Sequence, residues 1–188
     1  MLMKRDAATR RARRGFTLFE TLVVIALLAI LATLTVPSFL AWHVRDQVDA
    51  RARALLATLS YARGEALRRG ARVTVCRVDA ARHCLATAQP CKAGVLDWSC
   101  GWAVMIERAS GFYPLRVQPD LSSVSIAGAL TNLTFTPPAG QVNGSFRSFD
   151  IGPRADSKAT QGTEWRRCIR IAAGGRARIV DGACGAAT

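Results

Sequence analysis

RRARRGFTLFETLVVIALLAILATLTVP, Arg10–Pro37, sets a cluster of arginines against a long apolar stretch and places one carboxylate, Glu20, near the start of that stretch. Between Phe16 and Val36 no other charged residue occurs. As a helix rising about 1.5 Å per residue, this segment reaches roughly 31 Å, the thickness of a bilayer's hydrocarbon core. Lys4, Arg5, Arg10, Arg11, Arg13 and Arg14 precede it against the single acid Asp6. Basic flanks stay on the cytoplasmic side, so the expected topology is a single pass over 16–36 with the rest of the chain outside the cytoplasm. A cleaved secretory signal would have a shorter apolar core and a small-x-small cleavage site. Here Pro37-Ser38-Phe39 follows, and the helical pattern continues. Glu20 does not suit a plain anchor, because an acid in a membrane helix costs on the order of a few kcal/mol unless it gains a partner or lies near the interface.

Beyond the apolar stretch, Val44, Val48, Ala52, Leu55, Leu59, Ala62 and Ala66 recur at spacings of four and three, which predicts an amphipathic continuation of the helix over 37–70. Arg45, Asp46, Asp49, Arg51 and Arg53 fall off that apolar face. Pro37 removes one helix hydrogen bond at the junction, and Gly70 is placed to act as the C-cap. From Ala71 the period changes to two. Val73 and Val75 alternate with Arg72 and Thr74, and strands are expected at Trp102–Glu107, Tyr113–Val117, Val124–Ile126, Leu133–Thr136, Phe146–Ile151, Arg167–Ile171 and Arg176–Val180. TPPAGQVNG, Thr136–Gly144, reads as a loop. The expected fold class is therefore α+β, with a long N-terminal helix packed through its distal half on an antiparallel β domain, 71–188.

All six cysteines, Cys76, Cys84, Cys91, Cys100, Cys168 and Cys184, fall in that β domain. An even count outside the cytoplasm points to three disulfides. The expected set joins Cys168 to Cys184 and leaves two bridges among the other four, whose pairing stays open. Zinc is the rival reading, but the first cluster lacks the close cysteine pairs that zinc modules use. His83 beside Cys84 does not make a catalytic pair, since adjacent residues of a strand point apart. No nucleophile with a base, no metal spacing and no phosphate-cradling glycine loop is visible, so neither an enzyme nor a cofactor is expected.

The basic leader, then Gly15-Phe16-Thr17-Leu18 and Glu20 ahead of a long apolar helix, resembles the class III signal of type IV pilins and type II secretion pseudopilins. Phe19 departs from the polar or small residue common at that place in the family. The resemblance implies that a prepilin peptidase cuts between Gly15 and Phe16, that 1–15 is a leader, and that Phe16 becomes an N-methylated terminus. It also implies that Glu20 pairs with the terminal amine of a neighbouring pilin subunit, giving a buried carboxylate its cation and fixing register. CRVD (Cys76–Asp79), DWSCGWAVMIE (Asp97–Glu107), LTFTP (Leu133–Pro137) with its glycine loop, and GRARIV (Gly175–Val180) are similar to the FimT/GspH branch. That resemblance covers nearly the whole chain. It implies a type IV pilin-like fold, an inner-membrane anchor with the C-terminal domain in the periplasm, and assembly into a pilus. Of the two arms, FimT-like proteins belong to pili and include DNA-binding members serving natural transformation, whereas GspH-like proteins sit in the secretion pseudopilus.

The charge pattern bears on that choice. The chain carries 26 Lys and Arg against 13 Asp and Glu, for a net +13. Only Lys4, Lys92 and Lys158 are lysines. Such a bias follows from a GC-rich genome as readily as from function, though the planar guanidinium is the better phosphate ligand. Location decides. RRCIRIAAGGRARIV, Arg166–Val180, reads as a hairpin with loop Ala173-Gly174-Gly175 and with Ala172 opposite Arg176, Arg170 opposite Arg178 and Cys168 opposite Val180. Alternation then sends Ile169, Ile171, Ala177 and Ile179 to the core, and Arg166, Arg170, Arg176 and Arg178 to the outer face. Four guanidinium groups on one ribbon suit phosphate oxygens. Gly175, Arg176 and Arg178 also resemble the Gly-Arg-x-Arg DNA-binding motif of FimT-like pilins. The plain alternative is a solvated strand face that happens to use arginine. With no recognition helix, the expected partner is double-stranded DNA bound without regard to sequence, through its phosphates.

Overall fold

The computed structural model describes residues 15–91, 94–142, 147–154 and 160–185, the side chains of 34–38 and 40 excepted. The leader residues 1–14 and the start of the expected strand at Phe146 lie outside them. The chain divides into two compact units, 1–40 and 41–188. One helix, α1, runs Leu18–Arg69.

In the first unit, the Thr17 hydroxyl accepts from the Glu20 backbone N–H at 3.2 Å, and the Thr17 carbonyl accepts from Thr21 N–H at 3.1 Å. Thr17 therefore caps the helix, with Glu20 three positions on. Phe16, Leu18, Phe19, Leu22 and Ile25 are all exposed. Among the described residues no helix is long and apolar enough to cross a membrane. The expected span 16–36 extends into residues whose side chains lie outside the description.

In the second unit, α1 buries Val48, Ala52, Leu55, Leu59, Ala62 and Ala66, while Val44 is half-buried. The helix ends at Arg69, and Gly70 follows at φ +58, the left-handed conformation that closes a helix without strain only for glycine. Among the described residues nine strands follow: β1 Val73–Arg77, β2 Trp102–Arg108, β3 Gly111–Gln118, β4 Val124–Gly128, β5 Asn132–Thr136, β6 Gln141–Val142, β7 Arg147–Pro153, β8 Arg167–Ile171 and β9 Ala177–Asp181. They form two antiparallel sheets, ordered β3-β2-β1-β5-β6 and β4-β7-β8-β9. The helix face meets Val73, Val75, Trp102, Val104 and Phe135 of the first sheet and Ile126, Ile151, Ile169 and Ile171 of the second in one apolar core.

Two charged residues off the apolar face take partners that the helix pattern does not give, and one expectation is corrected. Arg51 is buried although it sits off the apolar face: its guanidinium stacks over the Trp102 ring at 4.7 Å and donates to the Pro119 carbonyl. Burial lowers its pKa, and Asp120 partly opposes that shift. Asp49, also placed off that face, reaches Arg167 of β8 at 2.7 Å. TPPAGQVNG is not loop throughout, since β6 pairs Val142 with Phe135 and Gln141 with Thr136.

The cysteines form three bridges, Cys76–Cys84, Cys91–Cys100 and Cys168–Cys184. The second ties Cys91 to the last residue of the Trp98–Cys100 turn. There Asp97 Oδ1 accepts from Ser99 N–H at 2.8 Å, and its Oδ2 accepts from Ser125 and Arg154 at 3.0 and 2.8 Å. Trp98, buried, donates to the Leu130 carbonyl at 2.7 Å and meets Phe149 edge-on.

Candidate nucleic-acid interface

β8 and β9 pair with Arg170 opposite Arg178, Cys168 opposite Val180 and Ile171 opposite Ala177. Ala172 N–H donates to the Arg176 carbonyl at 3.0 Å, and Gly175 N–H to the Ala172 carbonyl at 2.8 Å, closing the turn. Gly175 sits at φ +75. Ile169 and Ile171 are buried, while Ala177 and Ile179 are half-buried against the same core. The other face is thereby free for Arg170, Arg176 and Arg178. Since β7 pairs Ser148 with Arg170, one row runs Ser148, Arg170, Arg178 across three strands.

Like charges directly opposite one another on a ribbon repel. Among the described residues, no ion pair or side-chain hydrogen bond relieves Arg170, Arg176 or Arg178. Arg176 and Arg178 are exposed and Arg170 is half-buried. A cleft of about 790 Å³ opens over this row, lined also by Arg147, Cys184 and Gly185. Such an arrangement can accept oxyanions, because uncompensated guanidinium groups that crowd one another gain most from a shared anion.

Two residues of the expected site stand apart from it. Arg166 is committed to Asp150, with Nη2 at 2.7 Å and Nε at 2.8 Å from Oδ1, so three and not four arginines remain open on this face. Gly175 is buried, and a Cβ there would run into the Gly140 carbonyl oxygen. That carbonyl accepts from Arg63 Nε at 3.4 Å, and Val142 N–H donates to the Ala173 carbonyl at 3.1 Å. The hairpin tip is thus bolted to the β5–β6 turn and through it to α1. Arg147 and Ser148 were not singled out from sequence, because nothing in one strand's alternation says which strand lies beside it.

At the other end of the chain, Gly15 and Phe16 are exposed, and Glu20 forms no ion pair among the described residues. A carboxylate in the first turn is favoured by the helix dipole in the lone chain.

Residues 51–175 match the family described as type II transport protein GspH. The chain belongs to the GspH family. Residues 10–36 of this GspH-family chain also match the prokaryotic N-terminal methylation motif. No curated protein resembles the chain closely enough to match. Its fold is that of the type IV minor pilin FimU from Pseudomonas aeruginosa, with TM-score 0.54 and 23% identity over 72% of this chain and 90% of that one. A second crystal form of FimU gives TM-score 0.52 at 23% identity, covering 70% and 91%. The minor pseudopilin EpsH from Vibrio cholerae gives 0.49 at 12% identity, covering 71% and 96%. The chain is accordingly a GspH-family protein that carries the N-terminal methylation motif and has the α+β fold of type IV pilins.

Proposed function

We propose that the chain is a minor pilin of a type IV pilus that captures DNA without sequence preference for uptake in natural transformation. The observation that carries this reading is the row of like-charged Arg170 and Arg178 with Arg176 beside it, unpaired among the described residues and lining one cleft. Supporting roles follow. Residues 1–15 are a leader that prepilin peptidase removes between Gly15 and Phe16, and 16–36 is the single span that anchors the chain in the inner membrane. Residues 37–70 continue the helix, and 71–188 forms the periplasmic domain. Glu20 pairs with the Phe16 amine of a neighbouring subunit, and the chain works as a structural subunit, not an enzyme.

The test is direct titration of the full chain, in detergent, with duplexes of unrelated sequence. Similar affinities are expected, together with a slope of log K against log salt near −3, for about three neutralised phosphates. Absence of binding at low salt would overturn the reading. The match to the GspH family model favours a second one, a minor pseudopilin of a type II secretion system that binds no DNA. Expression alongside secretion components, with loss of secretion and no loss of transformation on deletion, would establish it.

A further inference from the structure

The basic cleft has another side, supplied by the chain's own C-terminal segment. On the outer face of the second sheet, the row next to Ser148, Arg170 and Arg178 is Asp150, Cys168 and Val180. Over that row the chain leaving β9 folds back, turning at Gly182 with φ +92. Cys184 is bonded to Cys168 of β8, and its N–H donates to Asp150 Oδ2 of β7 at 2.9 Å. The other Asp150 oxygen is held by Arg166. The segment Gly182–Gly185 therefore crosses from the edge strand β9 over β8 to β7. A covalent bond and a charge-backed hydrogen bond fix it there, and Cys184 and Gly185 line the same cleft as the arginines.

We propose that this disulfide-fastened segment is the second wall of the phosphate site, making it a trough that takes one sugar–phosphate strand at a time. The inference rests on the phosphate-binding reading above. The wall runs beside the arginine row across the same three strands, so the floor is a single file of guanidinium groups roughly 10 Å long at the usual strand spacing. A single file of cations beside one wall follows one backbone, and the other backbone of a duplex stands off across a groove of about 6 or 12 Å. Among the described residues no aromatic side chain lines the cleft, so the strand enters phosphate first. Base pairing is then no requirement, and single strands and duplexes compete for the same place. Arg166 and Asp150 act as positioning residues for the wall. Cys184 and Gly185 bring no cation, so the wall holds and desolvates the backbone without releasing counterions.

This separates wall from floor experimentally. In the full chain, Cys168→Ser with Cys184→Ser should weaken binding of single-stranded and duplex oligonucleotides by roughly three- to tenfold, because a pre-ordered wall becomes a loose one. The salt slope should stay unchanged, whereas loss of arginines flattens it. Cys76→Ser with Cys84→Ser, in the other sheet, should leave binding unaltered. Unchanged affinity in the first variant, an equal loss in the second, or a single strand that fails to displace duplex would overturn the trough. Should the serine variants not fold, hydrogen exchange on the wild-type chain decides. A single-stranded oligonucleotide should protect the amides of 183–185 together with those of β9. Protection of β9 alone overturns the wall and leaves phosphate binding standing. A wild-type chain that binds neither form of DNA overturns both.

Discussion

Gly175 shows how a residue's chemistry and its position divide the work. As part of Gly-Arg-x-Arg it resembles a binding motif, yet its amide closes the turn and its α-carbon lies against the Gly140 carbonyl. A side chain there meets both left-handed backbone strain and a backbone clash, so Gly175→Ala should cost on the order of 2–4 kcal/mol, read as a fall in the urea midpoint. Arg166, one strand position from a buried arginine, illustrates the limit of alternation: period two gives a side chain's face, not its partner, and Asp150 lies far away in sequence. Asp97 was legible only as part of a family block. In the fold, burial raises its pKa, but hydrogen bonds from Ser99, Arg154 and Ser125 outweigh that and leave it lowered. A carboxyl depressed on folding contributes stability that is full above the unfolded value, near about 4, and is lost as pH falls through the folded one. Denaturation from pH 7 down to pH 2 should therefore show a decline that Asp97→Asn makes shallower, with the variant already weaker at pH 7.

At the scale of elements, periodicity was the strongest guide. A helix whose apolar face repeats from Val44 to Ala66 and a hairpin whose two glycines sit between alternating strands each carry their pattern in adjacent residues. The short β6 carries none: two residues cannot show a period, and its pairing to Phe135 is fixed by the turn that Gly140 closes. Likewise Arg51 is buried by Trp102, a residue of another element, so the helix's own pattern could not reveal it. The β8–β9 ribbon offers the sharpest element-level test. Arg176→Gln with Arg178→Gln should fold like wild type, since among the described residues neither side chain forms an ion pair or a side-chain hydrogen bond. The same change should flatten the DNA salt slope by roughly 2 and lower transformation while leaving pilus assembly intact. Arg166→Gln should act differently: it removes the partner of Asp150, so thermal stability falls more than the salt slope changes.

For the molecule as a whole, the proposed function gives the two ends of the chain different partners, and the sequence separates them by composition. The β domain's three bridges and packed core account for themselves within one chain, although which of Cys76, Cys84, Cys91 and Cys100 pair depended on strands and turns that bring distant residues together. The N-terminal segment does not account for itself. Phe16, Leu18, Phe19 and Leu22 face no described neighbour that buries them, and among the described residues Glu20 has only the helix dipole to offset its charge. Both features make sense if neighbouring subunits cover the apolar surface and supply a cation. Glu20→Val would make the helix more apolar and so favour membrane insertion, and it leaves Gly15 and Phe16 unchanged for processing. What it removes is the partner of the next subunit's terminal amine, whose charge would then be buried alone, a penalty of about 3–5 kcal/mol for a broken buried pair. Mature variant protein should therefore accumulate in membranes to the wild-type level, yet be depleted from sheared filaments. Equal amounts of variant and wild type in those filaments would remove Glu20 from assembly.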